Sequence, residues 1–227
     1  VPPILIYDED YSPYCGKVRK LMDYKGLGYR RIPVPYHDKR RLLRETGQDY
    51  VPFLRHGRRG IPWTEAVDYL ESIRPEPTAY PDGLRGVCKI LEAWEYDWFE
   101  DRFWGLVAPF LAPRLTDEVE RWNFEETWER VYGAFPELRR NPRPSWEALR
   151  PSLQSLEACL RTRPFLLADT LSAFDCAIYG DFHALKAAGV RILPEFPRLR
   201  QWFRRVDGIG GTGGDPKGRW AGARASR

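Results

Sequence analysis

The 227-residue chain predicts an α/β domain followed by an all-α helical domain, and a change in apolar periodicity carries that division. Up to about residue 80, short apolar runs alternate with helix-like patterns, and beyond residue 84 only helical periodicity recurs. A Pro-rich segment, Pro75-Glu76-Pro77-Thr78-Ala79-Tyr80-Pro81, lies between the two regimes and reads as a linker. The expected organisation is residues 1–80 as the α/β domain, 84–207 as the helical domain, and 208–227, Gly-rich and aperiodic, as a disordered tail.

Ile4-Leu5-Ile6-Tyr7 is a first strand. Ser12-Pro13 then reads as an N-cap with proline at the first helical position, which suits a residue with no N–H to satisfy. Tyr14, Val18, Leu21 and Met22 follow at helical spacing, and Gly26 and Gly28 stop the helix. Tyr29 to Val34 is a second strand. Asp38 is expected to cap a basic helix from Lys39 to Thr46, which Gly47 ends. Val51 to Arg55 and Gly60 to Trp63 are two more strands around a turn, and Thr64 is expected to cap a helix reaching Ser72. The order is β-α-β-α-β-β-α. In the second half, helices are expected at 86–103, 117–132, 146–161, 172–189 and 196–206. The fourth of these opens on a capping box at Ser172-Ala173-Phe174-Asp175.

Hydrophobic residues make up 43% of the chain, enough for a sizeable core. No apolar run approaches the ~18 residues of a membrane helix. The first residues lack the pattern of a signal peptide, so a cytoplasmic location is expected. Cys15, Cys88, Cys159 and Cys176 contain no C-x-x-C pair, and with only three histidines no zinc-type spacing arises. Reduced cysteines and no metal are the expectation. There is no phosphate-binding loop motif, no dinucleotide fingerprint and no Ser-His-Asp arrangement. The formal charge of +4 invites a nucleic-acid reading, but Lys217, Arg219, Arg224 and Arg227 against Asp215 give residues 208–227 a net +3. The remainder is nearly neutral, which argues against nucleic acid and membrane as partners.

Four segments together resemble the glutathione transferase family: Ser12 to Arg19 after the first strand, Val51-Pro52 opening the third, Tyr69-Leu70-Glu71 ending the third helix, and Phe165 to Asp169 leading into Ser172–Asp175. The resemblance implies a thioredoxin-like first domain and a helical second domain. It also implies glutathione as co-substrate, a hydrophobic electrophile as second substrate, a homodimer and a role in detoxification.

Ser12-Pro13-Tyr14-Cys15 looks like the Cys-Pro-Tyr-Cys of glutaredoxins with serine at the first position. In serine-type transferases a serine there hydrogen-bonds the glutathione sulfur. A thiol of pKa ~8.5 is only slightly ionised at neutral pH, and a hydroxyl donor with the positive end of a helix favours the anion. Ser12 is equally readable as a plain N-cap. Cys15 reads either as a partner for a mixed disulfide, giving thiol reductase or peroxidase chemistry, or as a small buried helix residue. Tyr11 and Tyr14 are alternative sulfur donors, substrate-site walls or packing groups.

In the family a cis-proline faces the thiol site, and the residue before it pairs with the peptide ligand as an added strand would. Val51-Pro52 matches. At the third helix relatives carry an acid followed by serine for the γ-glutamyl end; here one alignment puts Thr64 at the serine and Trp63 at the acid, another puts Trp63 at the serine. Thr64 with Glu65 then reads as a γ-glutamyl clamp, or as an N-cap and a first-turn acid. Lys39 or Arg40 is the candidate for the glycine carboxylate, the rest of that basic run being a solvated face. The aromatic stretch from Trp94 through Trp98, Phe99, Phe103, Trp104 and Phe110 reads as a hydrophobic substrate wall, core or dimer interface. The implied activity is attack of glutathione thiolate on a small hydrophobic electrophile. A Cys15-based reductase or peroxidase and a non-catalytic ligand- or protein-binding module are the alternatives.

Overall fold

Strand β1 (Ile4–Asp8) buries Ile4, Ile6 and Tyr7 and delivers the chain to a tight loop whose end, Ser12, caps α1 (Pro13–Tyr24). The computed structural model describes residues 2–210; 211–227, most of the expected tail, lie outside the described residues. After α1 come β2 (Tyr29–Pro33), α2 (Arg40–Thr46), β3 (Phe53–His56), β4 (Arg59–Pro62) and α3 (Trp63–Ile73), the expected order. The strands lie in the order β2-β1-β3-β4. β1 runs parallel to β2 and antiparallel to β3, which runs antiparallel to β4. This thioredoxin-like sheet has its register set by Asp8 opposite Pro33, Tyr7 opposite Phe53 and Phe53 opposite Pro62.

The boundaries differ from expectation where the backbone has a reason. β3 starts at Phe53 rather than Val51, because Pro52 has no N–H to give a ladder. Pro62 pairs with Phe53 and is also the N-cap of α3, so the helix begins directly at Trp63. Thr64 is therefore the second helical residue and not the cap expected of it. Lys39, not Asp38, occupies the N-cap of α2, although the Asp38 carboxylate accepts from the Arg40 N–H at 3.0 Å. Gly47 ends that helix in the left-handed conformation a side chain would resist.

The segment 75–81 is no free linker. The buried Lys25 Nζ donates to the carbonyls of Arg74 at 2.8 Å and Pro77 at 2.7 Å, and pairs with Glu71. Glu71 also accepts from the Ala79 N–H at 2.7 Å, while the Ala79 carbonyl accepts from Ala173 N–H at 2.8 Å.

The helical part comprises α4 (Arg85–Trp94), a π-helical turn (Glu95–Phe99), α5 (Glu100–Leu111), α6 (Glu118–Tyr132), α7 (Phe135–Arg140), α8 (Arg143–Cys159), α9 (Ala173–Ala187) and α10 (Pro197–Asp207). The single helix expected over 86–103 is thus interrupted by the π turn and continues to Leu111. α7, one short segment after Gly133, had no apolar period to announce it. The capping box of α9 is present as expected, and Asp175 does more than cap. Fully buried, it also accepts from Leu166 N–H and Trp202 Nε1, both at 2.8 Å, tying the 165–169 loop and α10 to α9.

The join between the two halves is α1 on α9. A Cβ added to Gly180 of α9 would lie 2.2 Å from the Pro13 carbonyl oxygen, and one on Gly16 of α1 would lie 3.3 Å from Gly180 Cα. Two glycines let the first turn of α1 rest directly on α9. Gly180→Ala is expected to lose about 1–3 kcal/mol of stability through overpacking, read as a lower urea midpoint with unchanged slope. A wild-type midpoint would show that the two helices separate without cost.

Candidate active site

The register gathers four chain segments at one end of the sheet. The C-terminal end of β1 leads to Ser12, that of β2 to Tyr36–Lys39, and that of β4 to Trp63–Glu65, while the N-terminal end of β3 carries Val51-Pro52. The Val51–Pro52 peptide bond is cis. The expected site residues therefore share one rim, although the chain separates them by up to half a hundred residues.

Buried charge holds the loop that presents Ser12. Asp8, buried at the end of β1, pairs with both Arg19 of α1 and Arg31 of β2. Arg31 also reaches the Asp10 carboxylate at 2.6 Å. The Asp10 carbonyl accepts from Arg19 Nη2 at 2.9 Å and from His183 Nε2 at 2.8 Å. Burial pushes the His183 imidazole down to about 4, so it is neutral at physiological pH and donates from Nε2. His183 is thus a tether from α9 to the loop.

At the α1 N-terminus, Ser12 Oγ accepts from the Cys15 N–H at 3.4 Å, the cap expected of it. Ser12 is 7% exposed and Cys15 fully buried. Burial, with Asp8 adding to it, pushes the Cys15 thiol well up, against the smaller opposing pull of Arg19 and the Ser12 hydroxyl. Cys15 Sγ accepts from the Glu9 N–H at 3.5 Å and faces the interior. Tyr14 OH donates to Glu100 Oε2 at 2.7 Å and Tyr11 OH to Glu120 Oε1 at 3.2 Å. Burial and these carboxylates raise both phenols far above their ordinary value. Ser12 alone among these groups retains a hydroxyl proton not committed to a carboxylate.

Two aromatic walls flank the rim. On one side Trp63 stacks on Tyr96 at 5.5 Å and meets Tyr14 at 5.1 Å. On the other, Tyr11 and Tyr36 pack edge-on to Phe124 of α6, and Glu120 also accepts from the Tyr36 N–H at 3.2 Å. Of the aromatic stretch, Phe99, Phe103 and Trp104 are core, Trp94 and Phe110 are half-buried, and Trp98 is exposed with Arg102 over its ring. Thr64 and Glu65 are exposed, and the first N–H groups of α3 receive no side-chain cap. Lys39 is not a free cation: it pairs with Glu9 and lies 5.4 Å from the Tyr36 ring centroid. Burial lowers its ammonium to about 8, Glu120 and Asp49 opposing. Arg40 is exposed and paired with Asp38 at 2.7 Å. Among the described residues, no cluster of three or more His, Cys, Asp or Glu is placed to hold a metal, and no helix is long and apolar enough to cross a membrane.

Residues 6–78 match the glutathione S-transferase N-terminal domain family, and residues 117–205 match its C-terminal domain family. The chain belongs to the glutathione S-transferase family. Among solved structures it is similar to a glutathione transferase, GSTFuA3, from Phanerochaete chrysosporium, at 18% identity over 92% of this chain and 98% of that one, TM-score 0.78. A glutathione S-transferase from Ceriporiopsis subvermispora in complex with glutathione is 21% identical over 91% and 97%, TM-score 0.73. Glutaredoxin 2 from Salmonella typhimurium, also in complex with glutathione, is 17% identical over 91% and 95%, TM-score 0.70. These likenesses show the fold. No match was found among curated proteins.

This member of the family carries a buried acid group that apolar periodicity did not reveal. Glu95 of the π turn and Asp181 of α9 lie together beside Glu100, which holds Tyr14, and near Lys17, which pairs with Glu92 at 3.5 Å. Both Asp181 oxygens are buried without a hydrogen-bond partner. The signal was visible as an Asp in the apolar middle of α9, away from the capping box. Burial pushes Glu95 up to about 7, Lys17 opposing, and raises Asp181 strongly. A carboxyl raised in the folded state contributes stability that is full below its ordinary 4.5 and lost as pH rises through about 7. His183, lowered from 6.5 to about 4, acts oppositely: its contribution is full above 6.5 and lost as pH falls through about 4. Comparison with Glu95→Gln removes that background. The variant is expected to gain on wild type by about 1–3 kcal/mol between pH 5 and pH 8 in urea unfolding. A difference that does not change with pH would show that Glu95 holds no proton in the fold.

Proposed function

We propose that the chain is a serine-type glutathione transferase that conjugates glutathione to a small hydrophobic electrophile. The observation that carries the reading is the hydroxyl of Ser12 at the α1 N-terminus, with its proton still to donate while Tyr11 and Tyr14 are committed to carboxylates. A thiol at this point meets that donor together with the positive end of α1, and both favour thiolate. Each unit by which its pKa falls stabilises the anion by about 1.4 kcal/mol relative to the thiol. The thiolate then attacks the electrophilic carbon, forming the C–S bond as the leaving group departs or the acceptor double bond opens.

The remaining roles follow from the rim. Val51, before Pro52, offers backbone N–H and C=O to the cysteinyl part of the peptide. The uncapped N–H groups of α3 and the Thr64 hydroxyl receive the γ-glutamyl carboxylate, and Glu65 its ammonium. Lys39 serves the glycine carboxylate in competition with Glu9. Trp63, at the acid of relatives in one alignment and at the serine in the other, makes that end of the site more apolar and sets a weaker hold on the γ-glutamyl group. Residues 1–80 form the glutathione-binding domain and 84–207 the helical domain in this reading. The depth and raised pKa of Cys15 weigh against a reductase or peroxidase that uses it as nucleophile.

The test is steady-state conjugation of an activated aryl halide by wild type, Ser12→Ala and Cys15→Ala. Ser12→Ala is expected to lower kcat/KM by roughly 10²-fold, the scale of one lost oxyanion-type donor, with Cys15→Ala within about threefold of wild type. Unchanged conjugation in Ser12→Ala removes the role given to Ser12. Loss in Cys15→Ala alone favours the thiol-reductase reading, and no glutathione binding by wild type at millimolar concentration leaves a non-catalytic binding module.

A further inference from the structure

We propose that a proton shared by the buried carboxyls of Glu95 and Asp181 positions the aromatic wall of the site, which holds glutathione while the pair is neutral and loosens when it ionises. The inference rests on the glutathione reading of the rim and adds two positioning residues to it. Asp181 lies in the middle of α9 with no exposed surface, and among the described residues no N–H or O–H donor reaches either of its oxygens. The group against it is the Glu95 carboxyl, in hydrogen-bond contact and itself buried. Two carboxylates have no hydrogen to share, so that contact needs a proton on one of them. The neighbours oppose its loss. Facing the pair are Lys17 and Tyr14 of α1, Glu92 of α4 and Glu100 of α5. Lys17, the cation of this group, is paired with Glu92 at 3.5 Å, and Glu100 is answered by the Tyr14 hydroxyl at 2.7 Å. Full ionisation would bury two further negative charges against one cation already in use.

The pair reaches the site through the π turn that Glu95 opens. The next residue, Tyr96, stacks on Trp63 at 5.5 Å and meets Tyr14 at 5.9 Å. Trp63 is the first residue of α3, the helix whose uncapped N–H groups belong to the rim. Tyr14 is held by Glu100, the residue directly after the π turn. The turn therefore carries contacts to two of the three rings at one end and fixes the third at the other. Such turns occur mostly as single interruptions of α-helices, and this one separates α4 from α5. An ionised Glu95 gains water by moving the turn, and Tyr96 then leaves Trp63. Burial sets the pH of the change: it pushes Glu95 up to about 7, Lys17 opposing, and pushes Asp181 well up. The neutral pair thus gives way as pH rises through about 7. A ligand that needs the closed wall favours the bound proton, and by linkage the proton favours the ligand to the same extent.

The experiment is calorimetric titration of S-methylglutathione, which has no thiol to ionise, into wild type, Glu95→Gln and Asp181→Asn across the neutral pH range. Hydrogen exchange of the amides of residues 94–100 is followed over the same range without ligand. In wild type the Kd is expected to weaken at least about fivefold from pH 6 to pH 8, with proton uptake on binding read from buffers of different ionisation enthalpy. Protection of the π turn is expected to fall at least about fivefold over that interval after correction for intrinsic exchange. Glu95→Gln, neutral and of the same size, is expected to keep its low-pH Kd and protection throughout and to take up no proton. Asp181→Asn, whose amide donates to an ionised Glu95, is expected to move both midpoints to lower pH. A purely structural role would change the Kd equally at every pH. A wild-type Kd and protection that do not vary with pH, or the same variation in Glu95→Gln, would overturn the proposal and leave the glutathione reading standing. Protection that falls with pH while wild type binds no S-methylglutathione at pH 6 would overturn the glutathione reading, and with it the hold on glutathione inferred here, while the proton-linked turn stands.

Discussion

The close contact of α1 with α9 is the constraint on which the rest of this molecule depends. Gly180 lies so near the Pro13 carbonyl that no side chain fits between them. The helix that Ser12 caps and the helix at the centre of the second half therefore meet backbone to backbone at the first turn of α1. Dispersion and excluded volume make such a contact steep: a shift of a few tenths of an ångström either clashes or opens a gap. The position of Ser12 is accordingly set by α9 as much as by the sheet it follows.

Around that contact the structure places buried charge in two kinds of company. Asp8, Arg19, Arg31 and Asp10 satisfy one another and, with neutral His183, fix the loop before Ser12. Glu95 and Asp181 lie at the same junction as two acids with little to answer them, and stay in the fold by holding protons at pH values where a solvated carboxylate would have lost them. Tyr14, through Glu100, connects this protonated group to the rim of the site. Family membership accounts for the architecture, and the particular acids and aromatics account for how this chain fills it. Trp63, packed against Tyr14 and Tyr96 at the start of α3, is the clearest instance.

Much of this was legible in the residues. The order β-α-β-α-β-β-α, the Ser12 cap and the Ser172–Asp175 box rest on local rules of periodicity and capping, the cis Val51-Pro52 on the resemblance, and each appears in place. What escaped depends on contacts distant in sequence. Thr64 lost its capping role because Pro62 pairs with Phe53 across the sheet and caps α3 itself, which moved the helix start two residues earlier. Lys39 read as a cation open to a ligand carboxylate, but Glu9, thirty positions away, meets it in the fold. The segment 75–81 had the composition of a linker but is held by Lys25, a residue whose burial no helical wheel predicts. α7 and the π turn carry too few residues to show a period.

The central claim is that the α1 N-terminus and the Ser12 hydroxyl convert a bound thiol to thiolate. Its most direct test is a pH titration of ultraviolet thiolate absorbance for glutathione held on the wild-type protein, with the free peptide as reference. The account predicts an apparent thiol pKa at least about one unit below the free value, equivalent to ~1.4 kcal/mol in favour of the anion. A bound thiol that titrates with the free peptide would contradict it.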